Sequence, residues 1–193
     1  MKNLYSVFVC LVMFGCSSES QETKSTSNVL ATVKAPDDSS AVEALKAIAA
    51  KIKRNHDGLI IEVNLRGTNA NNATLKSILP LKHVQSLLLN DLEITDGGLE
   101  VLKNVDWPIS NLDLRGCPVS NTGLSYLTGL SSLKALRLSG SNSSATVDDD
   151  GMVAVAQLSN LKVLSLDKLW VSEAGIEQPV SYTHLTLPTN REV

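Results

Sequence analysis

Five times along this chain two aliphatic residues flank a single other residue, at nearly constant intervals. The second members are Leu65, Leu89, Leu114, Leu138 and Leu166, separated by 24, 25, 24 and 28 residues, and the first are Val63, Leu87, Leu112, Leu136 and Leu164. Five positions before each anchor stand Ile60, Val84, Ile109, Leu133 and Leu161. Ten positions after come Leu75, Leu99, Leu124 and Ile176, with Met152 in the lengthened fourth unit. Further aliphatic residues follow at plus thirteen (Ile78, Leu102, Leu127, and Val155 in that unit) and plus sixteen (Leu81, Val105, Leu130, Leu158).

Alternation around each anchor predicts a short strand with one face turned inward, and the later spacing predicts one buried helical stripe. Each unit is then strand, turn, helix. A single unit cannot bury both of its apolar faces, so units must stack, strand beside strand and helix beside helix. The fold class expected is α/β: a solenoid with parallel strands on its concave face and helices on its convex face.

Leu112-Asp113-Leu114-Arg115-Gly116-Cys117, with Ile109 three residues earlier, resembles the leucine-rich-repeat consensus, including cysteine at its Asn/Cys position. The resemblance spans about Gly58 to Glu177. It implies that Thr68, Leu92, Cys117, Ser141 and Leu169 occupy an interior position at the strand ends, with Leu92 and Leu169 departing from a polar ladder there. Thr95-Asp96-Gly97-Gly98-Leu99, Ser120-Asn121-Thr122-Gly123-Leu124, Asp148-Asp149-Asp150-Gly151-Met152 and Ser172-Glu173-Ala174-Gly175-Ile176 each open with a helix-capping residue. This step is similar to that of ribonuclease-inhibitor-like, cysteine-containing repeats of bacterial envelope proteins. Glycine in a helix costs about 1 kcal/mol against alanine, so its return in each first turn predicts a close approach to the neighbouring unit. Thr74 is the exception.

Ahead of the first strand, Ser40-Ala41-Val42-Glu43 reads as a capping box, and Val42, Leu45, Ile48 and Ile52 share a helical face. A capping helix over about 41–54 is expected to shield the first unit. Still earlier, an apolar run from Leu4 to Phe14 is too short to span a bilayer as a mature helix. It ends in Met13-Phe14-Gly15-Cys16, which resembles the bacterial lipobox although Phe14 is bulkier than that pattern prefers. The resemblance implies lipidation at Cys16 and anchoring to a bacterial membrane of the cell envelope, facing periplasm or exterior. An ordinary secretory signal with an incidental Cys16 is the alternative. The polar stretch 17–38 reads as a disordered tether.

The organisation expected is therefore 1–16 signal and lipobox, 17–38 tether, 39–178 solenoid of about five repeats, and 179–193 a tail. Pro179 to Thr189 resembles translated read-through of a sequencing-library adapter, and Pro179 falls where the last repeat should still be helical.

With a formal net charge of −3 and no clustering of basic residues, the chain lacks the footprint of nucleic-acid binding. The concave face would present Asn64 and Arg66, Leu88 and Asn90, Asp113 and Arg115, Arg137 and Ser139, and Ser165 and Asp167. A further row is Glu62, Ser86, Asn111, Ala135 and Val163. Strands about 4.8 Å apart allow Asp113 to pair with Arg137. These residues are either a ligand-reading face or an ordinary solvated one. The acidic run Asp148 to Asp150 suits a helix N-terminus, with a cation site as the alternative. Trp107 and Trp170 are expected to cover seams between repeats, His56 to end the capping helix, and Cys117 to be buried and inert. No catalytic arrangement, metal set or cofactor motif stands out. The expectation is a non-enzymatic, membrane-tethered interaction module for a protein or glycan, the alternative being the N-terminal part of a larger envelope enzyme or sensor.

Overall fold

Aliphatic side chains turned to one side of every strand set the register of a six-stranded sheet. The computed structural model describes residues 36–140 and 145–180, all within the unit Ala35–Val193. Strands β1 (Lys51–Arg54), β2 (Ile60–Asn64), β3 (Ser86–Leu88), β4 (Asn111–Asp113), β5 (Ala135–Ser139) and β6 (Val163–Asp167) lie side by side in chain order. From β2 onward neighbours are parallel, and Val63, Leu87, Leu112, Leu136 and Leu164 pair in one row, all fully buried. Leu65, Leu89, Leu114 and Leu138 are equally buried, while Leu166 on the last strand is only half covered. Each such leucine contributes on the order of 1.5–3 kcal/mol by leaving water.

Helices α1 (Ser39–Ala47), α2 (Asn72–Ser77), α3 (Asp96–Glu100), α4 (Asn121–Ser125), α5 (Asp149–Ala156) and α6 (Glu173–Val180) accompany the strands, and consecutive helices pack together. None of the described helices is long and apolar enough to cross a membrane. Most are shorter than the expected stripe. Leu75, Leu99, Leu124 and Met152 lie within helices, but Leu81, Leu130 and Leu158 follow them, in turns closed by bonds to residues three earlier. The chain descends through Leu127, Leu130 and Leu133 on successive bonds of this kind (3.0, 2.9 and 3.0 Å). A strict spacing of three is the period of a 3₁₀ turn, not the 3.6 of an α-helix. That corrects the helical reading of plus sixteen, and of plus thirteen at Leu102 and Leu127, whereas Val155 lies within α5 and Ile78 N bonds Thr74 O four residues back.

The expected helix over 41–54 is also corrected. Asp38, not Ser40, caps α1, accepting from Ser40 N (2.9 Å) and Ala41 N (3.2 Å). The helix stops because Ala49 enters the left-handed region (φ 53°), with Ala50 N bonding Leu45 O and Ala49 N bonding Lys46 O, both at 3.0 Å. These two bonds form a Schellman cap on an alanine. Released from the helix, Lys51–Arg54 turns back as β1, antiparallel to β2, with Ile52 opposite Val63. His56 accordingly lies in the β1–β2 turn beside Asp57.

The stretch 17–38, expected as tether, includes residues of the folded part at its end. Asp37 belongs to the folded part: its Oδ2 accepts from Ile60 N at 2.8 Å and meets Arg54 at 3.1 Å. At the other end α6 continues through Pro179 to Val180, so the tail expected from 179 does not break the helix where it begins. Proline removes one backbone donor, here in the final turn, where the helix ends one residue later. Residues 1–35, which carry the lipobox expected at Cys16 and most of the expected tether, residues 141–144 of the insertion and residues 181–193 lie outside the described residues.

The glycine recurrence has a specific partner. The first residue of each helix, Asn72, Asp96, Asn121 or Asp149, reaches the cap of the next helix and accepts from its backbone N–H: Thr95 at 3.1 Å, Ser120 at 2.8 Å, Asp148 at 3.1 Å and Ser172 at 2.7 Å. A second bond joins the two side chains at every step. An added Cβ at Gly98, Gly123, Gly151 or Gly175 would lie 2.2–2.4 Å from the oxygen that makes this bridge. Thr74 escapes the constraint because among the described residues no such bridge reaches the cap of α2; it completes a capping box with Asn71 instead.

Candidate functional site

Strand alternation that buries Val63, Leu87, Leu112, Leu136 and Leu164 turns their neighbours to the opposite, outward face of the sheet. Three rows result. The register pairs Glu62, Ser86, Asn111, Ala135 and Val163 in one and Asn64, Leu88, Asp113, Arg137 and Ser165 in the next. It sets Ser139 opposite Asp167 in a third, to which Arg66, Asn90 and Arg115 belong as the residues two further along their own chains from Asn64, Leu88 and Asp113. β1 adds Lys53 opposite Glu62 and Lys51 opposite Asn64. These two lysines were missed in the sequence because Lys51-Ile52-Lys53-Arg54 was read as helix; its alternation was the available signal.

The outward residues are unequally accessible. Arg66 and Asp167 are exposed, and Asn64, Leu88, Arg115, Arg137 and Ser165 are half-buried. Asn90, Asp113 and Ser139 are only 3, 4 and 3% exposed, so they support the surface more than they form it. Asn64 Oδ1 folds back to accept from Arg66 N at 3.1 Å.

Asp113 sits opposite Arg137, as the row predicts, but does not pair with it. Its partner is Arg115, two residues along its own chain, through a two-pronged contact: Nε to Oδ1 at 2.8 Å and Nη2 to Oδ2 at 2.7 Å. The planar guanidinium fits both carboxylate oxygens at once, a geometry that two parallel bonds strengthen. Burial pushes the Asp113 carboxyl up, yet bonds from Arg115 and Asn90 outweigh it and hold the group below its ordinary 3.8. Arg137 bonds instead to Asn111 Oδ1 at 2.5 Å, and Asn111 Nδ2 donates to Ser86 Oγ at 2.9 Å. On the last two strands Ser139 Oγ donates to Asp167 Oδ2 at 3.0 Å.

Other candidates fall elsewhere. Cys117 is fully buried, its Sγ donating to Leu89 O at 3.0 Å, and desolvation pushes the thiol up to about 11. Thr68, at the equivalent position of the first unit, donates its hydroxyl within its own unit, to Leu65 O at 2.7 Å, whereas the Cys117 bond crosses to the preceding unit. Asp148 caps α5, accepting from Asp150 N at 3.0 Å, and Asp149 bridges to Ser172, whose hydroxyl and backbone N–H lower its carboxyl pKa. The acids of this run thus serve helix ends. Trp107 is buried at 6% exposure, but Trp170 stands 83% exposed, which corrects its expected place in a seam. A cleft of about 680 Å³ opens between return segments 79–83 and 100–107, walled by Leu81, Val105 and Trp107 with Lys82 and Glu100; it contains none of the outward-face residues.

No protein-family model matches this chain, and no curated protein does. Among solved structures it is similar to an internalin C2 from Listeria monocytogenes str. 4b F2365, with 19% identity over 78% of this chain and 82% of that one, at a TM-score of 0.35.

Proposed function

We propose that this chain is a leucine-rich-repeat solenoid that binds a protein through its outward, concave sheet face, tethered to a bacterial envelope membrane by lipid on Cys16. The observation that carries the reading is the register itself. Successive parallel strands hold their aliphatic residues inward and present aligned rows of polar and apolar side chains outward. A surface whose side chains are fixed by neighbouring pairs, as Asp113 and Arg115 or Asn111 and Arg137 are, loses less freedom on binding than a mobile one.

The test is site-specific photo-crosslinking in envelope extract. A crosslinker at Asn64 or Ser165 is expected to capture a defined protein, and one at Ala73 or Val153 on the helical side is not. Capture from the helical positions alone, or equally from both sides, overturns the reading. For the tether, labelled fatty acid should enter the wild-type chain and not Cys16→Ser; equal labelling of both removes the anchor.

A further inference from the structure

We propose that the outward sheet face takes an acidic polypeptide segment, and that Lys51, Arg66 and Arg137 are the side chains that read it. The inference rests on the binding-face reading above and adds the chemistry of the partner.

The charges on the face fall into two groups. Lys53 is cancelled by Glu62 at 2.8 Å, and Arg115 by Asp113 at 2.7 Å. Lys51, Arg66 and Arg137 have no acidic partner among the described residues, and the one side-chain bond of Arg137 goes to the neutral amide of Asn111. Against these three stand Asp167, on the last strand and bonded to Ser139, and Asp91, three residues past β3, and both of these acids also act on Arg115. The face is thus locally cationic on a chain whose formal net charge is −3. Such a local reversal of sign selects and steers an oppositely charged partner.

The spacing suits an extended polypeptide. Arg66 follows β2, Lys51 lies opposite Asn64 on β1, and Arg137 is three strands beyond β2, roughly 14 Å away at about 4.8 Å per strand. An extended segment crossing the strands covers roughly the same span in four residues at about 3.4 Å each. Between the cations lie the amides of Asn64 and Asn111 and the hydroxyl of Ser86, which can donate to or accept from peptide groups, and the half-buried Leu88 offers an apolar contact. Three open cations interleaved with neutral groups fall short of the dense basic stripe that tracks a nucleic-acid backbone.

Fluorescence anisotropy of the full chain at low salt tests this, with short labelled poly-glutamate, poly-glutamine and poly-lysine peptides and an oligo-dT strand as probes. Poly-glutamate is expected to bind best, with affinity falling about tenfold or more in Arg66→Glu/Arg137→Glu. The fall in Lys46→Glu/Lys76→Glu, the same charge change placed on α1 and α2, is expected to stay under about twofold. Arg66→Gln/Arg137→Gln, with circular dichroism of every variant, separates loss of charge from loss of fold. Equal loss in both reversal pairs, preference for oligo-dT, poly-lysine or poly-glutamine, or no binding of poly-glutamate each overturns the inference. If crosslinking still captures a protein from Asn64 or Ser165 in that event, the binding face stands and only its acidic partner falls; if it does not, both fall.

Discussion

Asn121 and Asp148, 27 residues apart in the chain, are joined by two bonds: Asn121 Nδ2 donates to Asp148 Oδ1 at 2.6 Å, and Asp148 N donates to Asn121 Oδ1 at 3.1 Å. The amide is required by its partner. Where the first helical residue is a carboxylate, Asp96 or Asp149, the next cap is a serine that donates a hydroxyl. Where it is an amide, the next cap accepts, as Thr95 and Asp148 do. Donor and acceptor therefore match from unit to unit, and the bridges couple helix to helix as the sheet couples strand to strand.

Asn121→Asp should break this match by setting two carboxylates at hydrogen-bonding distance. A loss of about 1–3 kcal/mol is expected, read as a lower urea midpoint at neutral pH. Combining it with Asp148→Ser recreates the Asp96 to Ser120 type of bridge and should recover most of the loss. Failure of the double variant to recover would mean that the bridge does not depend on donor and acceptor identity.

The glycines give a paired prediction. A Cβ at Gly123 would lie 2.3 Å from Asp96 Oδ1, whereas at Gly97 the nearest atom is 3.7 Å away. Gly97→Ala should stabilise by about 0.5–1 kcal/mol through helix propensity alone, and Gly123→Ala should destabilise by about 1–3 kcal/mol because the bridge must shift. Opposite shifts in melting temperature check this, and shifts of the same sign would refute the close approach.

How far these features were legible follows from their physics. The inward columns could be read because one periodicity controls every unit, and the outward rows follow from the same alternation. The end of α1 could not, since its cap places Ala49, not glycine, in the left-handed region and leaves no punctuation before Lys51-Ile52-Lys53-Arg54. Glycine spacing announced a close approach at Gly98, Gly123, Gly151 and Gly175 but not the Asn or Asp that approaches, because that contact crosses units. On the outward face the rows placed Asp113 beside Arg137 correctly. The preference of Asp113 for Arg115 depends on the fit of a guanidinium fork to two oxygens, which spacing does not encode.

Ala49 offers a stabilising change. Its left-handed backbone (φ 53°) costs alanine roughly 1–2 kcal/mol; glycine avoids that cost but gives part of the gain back through its greater entropy when unfolded. Ala49→Gly should therefore gain about 0.5–1 kcal/mol. A melting temperature unchanged or lowered by this substitution would place the end of α1 elsewhere.

The thiol of Cys117 makes stability depend on pH in the alkaline range. It is fully buried and donates to Leu89 O, and burial raises its pKa from 9.0 to about 11. In the unfolded chain the thiol loses its proton as pH passes 9, while in the folded chain it keeps it until about 11. The unfolded state therefore binds fewer protons across that window, and its contribution to stability is complete below pH 9 and falls away between 9 and 11. The loss should approach about 2–3 kcal/mol, at about 1.4 kcal/mol per unit. Lysines and tyrosines titrate in the same range, so the measurement is a difference: urea midpoints of wild type and Cys117→Ala at pH 8 and at pH 10.5. Cys117→Ala should start lower, having lost a buried side chain, and decline less between the two pH values. Parallel declines would mean that the thiol ionises as readily in the fold as out of it, and that its bond to Leu89 does not hold the proton.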